Sequence, residues 1–185
     1  MEDVRDSAVD KIKEKLSTMN TALNKISYLE IVLKEKNFSL EAKRFILSEL
    51  SDLYCDLKMY SKAAKAMHNK ANIEITKKDK INSYLEAAEM YARLGDVDNS
   101  EQMFLIATRE ATEDQKVGIF LAKKNIYTQF ANQLEKLGKR VAAIKFYEHL
   151  LKMDIDPVEK TKIKTKLKKY YTALGMFREA KLIDL

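Results

Sequence analysis

Catalysis and metal binding need reactive side chains that converge, and few of this chain's residues qualify. His68 and His149 each stand alone in separate stretches. Histidine titrates near neutral pH and is the commonest metal ligand, but a lone histidine on helical sequence reads as a half-exposed surface residue. Cys55, between Tyr54 and Asp56, has no histidine beside it to activate the thiol; it reads as a small, half-buried hydrophobe. One cysteine and two distant histidines cannot supply a zinc site. Four scattered glycines draw neither a dinucleotide-binding fingerprint nor a phosphate-binding loop. Carboxylate pairs such as Glu86/Glu89 fall at helical spacing, where such pairs are solvated more often than they act as acid and base. The expectation is a chain that is not an enzyme, with no cofactor and no metal. A single cysteine and an acidic start, Glu2-Asp3, without the layout of a signal peptide, point to a reduced, cytoplasmic setting.

The elements that must position any other site are helices. From Ile81 onward, Tyr84, Leu85, Ala88, Tyr91 and Ala92 recur at three- and four-residue steps and make one apolar face. The segments Phe45–Leu57, Phe120–Leu137 and Leu167–Leu174 behave alike. Only four glycines and one proline occur in 185 residues, too few turn formers for an all-β chain. No apolar stretch approaches the roughly 18 residues that a membrane span requires.

Three of the glycines follow a leucine, at Leu94-Gly95, Leu137-Gly138 and Leu174-Gly175, each closing an amphipathic segment. There glycine takes the left-handed backbone that ends a helix without a Cβ clash. A fourth segment, Tyr54-Cys55-Asp56-Leu57-Lys58-Met59-Tyr60, matches them with lysine in place of glycine. Aligning Tyr60, Val97, Arg140 and Phe177 gives intervals of 37, 43 and 37 residues. The best copy carries Tyr84, Ala87, Ala88, Tyr91, Gly95, Phe104 and Ala107, with Ser100 where alanine is usual. The next carries Tyr127, Phe130, Ala131, Leu134, Gly138, Ala143 and Tyr147.

These residues resemble the tetratricopeptide repeat, a helix–turn–helix unit of about 34 residues, in a looser variant similar to vesicle-fusion adaptor proteins. The resemblance covers about residues 40–185; tryptophan, usual in the repeat, is absent and tyrosine replaces it. It implies an all-α fold: a right-handed α-solenoid of antiparallel helix pairs, about ten helices, in one domain over 1–185. The repeats would run 40–78, 79–115, 116–157 and 158–185, after a degenerate hairpin over 1–38. Residues 1–38 also admit a second reading, one long coiled-coil helix, because Val9, Leu16 and Leu23 follow a seven-residue spacing. The hairpin is preferred, since Ser17-Thr18-Met19-Asn20-Thr21 is poor helix interior that can cap a new helix. Asn37-Phe38-Ser39 then breaks the second helix, and Pro157 marks the last connection between repeats.

In this family the first helix of each pair lines a concave groove that holds a peptide or partner helix. Carried onto matching positions, the resemblance implies a groove acidic at one end through Asp52, Glu86 and Glu89. It is amide-rich in the middle through Asn125, Thr128, Gln129 and Asn132, and basic at the other end through Lys162, Lys166 and Lys169. The lysine-rich clamp of chaperone-binding relatives is not reproduced, because its positions carry Ser48, Asp52, Glu86, Asn125 and Gln129. The lysine run Lys160–Lys169 admits another partner. Net charge is +6, and Lys160 to Arg178 holds seven basic residues and no acid, enough to bind RNA or a ribosome through phosphates. Its alternatives are an acidic protein partner and a solvated, polar last helix that keeps the array soluble. A third expectation is a homo-oligomer, through the N-terminal heptads or through the uncapped last repeat with its apolar tail Leu182, Ile183 and Leu185.

Overall fold

A computed structural model describes residues 3–35 and 38–183, with side chains from Ala8 onward. Among the described residues there are ten helices and no strand. They are α1 (Asp3–Ser17), α2 (Ala22–Lys34), α3 (Leu40–Asp56), α4 (Tyr60–Ala71) and α5 (Lys77–Leu94). Then come α6 (Val97–Glu110), α7 (Glu113–Lys136), α8 (Arg140–Leu151), α9 (Pro157–Ala173) and α10 (Phe177–Leu182). Asn37 of the expected break and Leu185 of the apolar tail lie outside the described residues. Among the described residues no helix is long and apolar enough to cross a membrane.

The heptad spacing near the start does not make one helix. The hydroxyls of Ser17 and Thr18 donate back to the carbonyls of Glu14 and Lys15, each at 2.7 Å, a local bond that competes with helix continuation. Thr21 then caps α2, its Oγ1 accepting from the Asn24 amide at 3.2 Å. Ile12 and Leu16 of α1 join Ile26, Leu29 and Val32 of α2 in one core with α3, while Leu23 of the heptad series is exposed. Ser39 caps α3 in the same way, accepting from Ala42. Pro157 is the first residue of α9, where a missing N–H costs nothing, and Asp156 caps it by accepting from Val158 at 2.7 Å.

Four joints close alike. At each, one amide reaches back five residues and the preceding amide three, the pattern that satisfies the last carbonyls of a helix. The long bonds are Met59 N to Tyr54 O, Asp96 N to Tyr91 O, Lys139 N to Leu134 O and Met176 N to Tyr171 O, all 2.7–3.0 Å. At three joints glycine supplies the positive φ, 77° at Gly95. At the fourth Lys58 takes φ 58°, so lysine fills the glycine position with a strained backbone.

Small buried residues also repeat at matching places. Ser51 and Ala63, Ala88 and Ser100, and Ala131 and Ala143 are each twelve residues apart, and all six are at most 1% exposed. The first pair places its serine on the earlier helix, where Ser51 Oγ donates to Ala63 O at 3.3 Å. In the second the order is reversed, and Ser100 Oγ donates to Ala88 O at 2.9 Å. Either order works because the hydroxyl is small and takes the carbonyl opposite as its acceptor.

The chain divides into two compact units, one through Gln115 and one from Lys116, with the boundary in the first turn of α7. In the first, α3 packs on α4, α4 on α5 and α5 on α6, and α1 and α2 lie against α3. In the second, α9 packs on both α8 and α10, and α7 meets α8 through rings: Tyr127 and Phe146 lie edge to face at 5.5 Å.

Candidate functional site

Helical spacing on α7 puts Lys124, Thr128 and Asn132 in one stripe, four residues apart. On α9 the same spacing aligns Glu159, Ile163 and Lys162 with Lys166. Together with Tyr147 and Leu150 of α8 and Ile155 of the following connection, these ten residues line a cleft of about 210 Å³. It lies wholly within the second unit. Leu150 and Ile155 are buried and Ile163 half-buried, so the floor is apolar; the walls are polar.

One wall is a closed network. Lys166 Nζ donates to Glu135 Oε2 at 2.8 Å, to the Tyr147 hydroxyl at 3.0 Å and to Asn132 Oδ1 at 3.5 Å. The Tyr147 hydroxyl lies 2.7 Å from Glu135 Oε2 and 3.0 Å from Asn132 Oδ1 and shares its proton between them. Two donors at Asn132 Oδ1 fix the amide, which leaves its two N–H donors uncommitted. Burial alone would raise the Glu135 pKa, but hydrogen bonds from Lys166, Tyr170 and Tyr147 outweigh it and hold the carboxyl down at about 2. Burial likewise opposes the Lys166 charge, and the bond to Glu135 reverses this, pushing Lys166 up to about 12. Burial and then the Glu135 contact push Tyr170 up to about 12.

The other wall holds Lys124, whose Nζ lies 2.6 Å from Glu159 Oε2. That contact is an ion pair at too poor an angle for a hydrogen bond, and Glu159 Oε2 has no other partner among the described residues. Lys162 is exposed at the mouth and has no carboxylate partner among the described residues. Two of the three lining lysines are therefore neutralised in place, and the third is not.

Four residues expected in the groove, Thr128, Asn132, Lys162 and Lys166, line this cleft. Lys166, expected at the basic end of the groove, is half-buried and paired with Glu135. Asn125 and Gln129 are exposed on α7 outside the stripe, and Lys169 is exposed on α9; none of the three lines the cleft. Of the residues expected at the acidic end, Asp52 and Glu89 lie close enough to Glu86, in the first unit, to act on its charge. Glu86 is raised by burial among its neighbours, although its surface faces solvent, and then by Asp52, Glu89 and Glu74, with Lys70 opposing. Glu89 pairs with Arg93 at 2.7 Å. Among the described residues no group of three or more histidine, cysteine, aspartate or glutamate side chains is placed to hold a metal ion. His68 and His149 each pack beside a tyrosine, Tyr84 and Tyr127.

Sequence reasoning missed Lys124, Tyr147 and Glu159 as lining residues and Glu135 as the partner of Lys166. Tyr147 was visible only as a core position of the repeat pattern, yet a buried tyrosine needs a partner for its hydroxyl, and that need is what ties α7, α8 and α9 together. No protein-family model matches this chain, and no curated protein is significantly similar to it.

Proposed function

We propose that this chain is a cytoplasmic, non-enzymatic interaction module of the tetratricopeptide-like kind, binding a peptide or helix of another protein. The observation that carries this reading is the cleft of the second unit, with an apolar floor, a wall fixed by internal hydrogen bonds and one uncommitted lysine at its mouth. A pocket with few, well-placed polar groups on an apolar lining is the usual form of a recognition site. The groups that a reaction would need are engaged elsewhere. Cys55 lies against Met90, its Sγ 3.1 Å from the thioether, and burial raises its pKa away from the reactive thiolate.

Affinity purification of the tagged chain from nuclease-treated extract, at two salt concentrations, tests the reading. The expected result is a protein partner that survives nuclease. Recovery of no protein, or release of everything by nuclease, overturns it; the second outcome favours the RNA- or ribosome-associated reading of Lys160–Lys169. Light scattering of the purified chain decides whether a second copy is the partner.

A further inference from the structure

We infer that the cleft between α7 and α9 recognises an acidic segment with an aliphatic anchor. The carboxylate would sit on Lys162 and the Asn132 amide, and the aliphatic side chain on Leu150, Ile155 and Ile163. This rests on the interaction reading above and adds the chemistry of the ligand.

Three observations lead there. First, apart from Glu159 Oε2, which faces Lys124, the uncommitted polar groups of the lining can donate: the Lys162 ammonium, the Asn132 N–H pair and the Thr128 hydroxyl, which has no hydrogen-bond partner among the described residues. Glu159 of the lining already faces Lys124, and Glu135, which is not part of the lining, pairs with Lys166. A basic ligand would compete with Lys124 or Lys166 for these carboxylates, whereas a carboxylate meets Lys162 without disturbing either pair. Second, the surroundings favour the same sign. From Lys116 on there are 16 basic and 7 acidic residues, net +9, against 18 and 21, net −3, through Gln115. Such a field speeds the approach of an anion. Third, the floor is apolar and the cleft holds about 210 Å³, more than the roughly 150 Å³ that accommodates a benzene ring. A leucine-sized side chain fits, and a phosphodiester backbone would leave that floor unused and meet the Glu159 carboxylate in the wall.

The test is an amide-resonance NMR titration of the full chain with three short glycine-serine peptides. They carry Asp-Asp-Leu-Leu, Lys-Lys-Leu-Leu or Asp-Asp-Ser-Ser at the centre. The acidic-aliphatic peptide is expected to give saturable shifts at Thr128, Asn132, Lys162 and Ile163. The other two should bind about tenfold more weakly or not at all, since each lacks one half of the match. Lys162→Glu should weaken the first peptide by about tenfold or more, while Lys181→Glu, on exposed α10, leaves it unchanged. Both changes are at the surface, and the dispersion of each variant's own spectrum reports its folding. Equal binding of the lysine peptide, shifts confined to another surface, or no shifts with any peptide would overturn the inference. A protein partner that the nuclease-treated purification still captures with Lys162→Glu would reject this site and keep the interaction reading.

Discussion

The two units solve the same packing problem with different side chains. Through α6, the helices approach on alanine and serine: Ala63, Ala64, Ala66, Ala71, Ala87, Ala88 and Ala92 are buried, and Ser51 and Ser100 bond across to the carbonyls they meet. From α7 on, rings do more of the filling, with Tyr127, Phe130, Phe146, Tyr147, Tyr170 and Tyr171 all buried. Small residues bring backbones together and leave no crevice between them. Rings hold helices apart, and a tyrosine carries a hydroxyl to the edge of the core, where it must find polar partners. Tyr147 finds Glu135, Asn132 and Lys166, and the polar wall of the cleft follows. In the unit with aromatic packing Tyr147 lines a recessed, mixed cleft; in the first unit the charged residues Arg44, Lys70 and Glu74 pair among themselves with little exposure.

This contrast predicts that the second unit breaks when emptied and the first when filled. Tyr127→Ala removes a fully buried ring and is expected to cost about 3–5 kcal/mol in urea unfolding. Ala88→Leu, at the contact with Ser100, is expected to cost about 2–3 kcal/mol through overpacking. Equal tolerance of Leu at Ala88 and of the cavity at Tyr127 would dissolve the distinction.

Next in size is the network. Tyr147→Phe keeps the ring and removes the hydroxyl, and is expected to cost about 1–2 kcal/mol by withdrawing one partner each from Lys166 and Glu135. The pH dependence of the pair has a definite sign. Glu135 falls from an ordinary 4.5 to about 2, so its contribution is full above pH 4.5 and is lost as pH falls toward 2. Lys166 rises from 10.5 to about 12, so its contribution is full below pH 10.5 and is lost as pH climbs to 12. The stability gap between the parent chain and Glu135→Gln should therefore be flat from about pH 5 to 10 and close at both ends. Both side chains are over a third exposed, so solvent screening limits the gap to about 1 kcal/mol. A gap unchanged at pH 2.5 would show that the pair is not what holds α7 to α9.

The smallest effect concerns the joints. Lys58→Gly relieves a left-handed backbone and should raise stability by up to about 1 kcal/mol. Gly95→Ala, whose added Cβ meets nothing within 4 Å, should lower it by a similar amount through backbone strain alone. Thermal unfolding of the two variants checks both signs, and a gain from each substitution would contradict the equivalence of the joints.

Much of the helix layout was legible before any tertiary contact. Ser39, Thr21 and Asp156 cap helices because a hydroxyl or carboxylate two or three residues ahead of an orphan amide needs nothing more distant. The Leu-Gly pairs end helices for the same local reason, and Lys58 could be aligned with them because its neighbours matched. Less of the site was legible. Asn125, Thr128, Gln129 and Asn132 look equivalent as polar residues on one helix; only the placement of α9 separates Thr128 and Asn132, which line the cleft, from the other two. Lys166 looked like any other lysine of its run, because its partner Glu135 is 31 residues away.

Caps, joints and apolar stripes are short-range, and the sequence by itself determined them: ten helices, their breaks, and the small residues that let them approach. The tertiary structure decided which charges cancel and which remain, since an ion pair depends on where distant helices bring their ends. It drew the boundary at Gln115 that splits +6 into −3 and +9, and it left Lys162 as the uncommitted cation of the cleft.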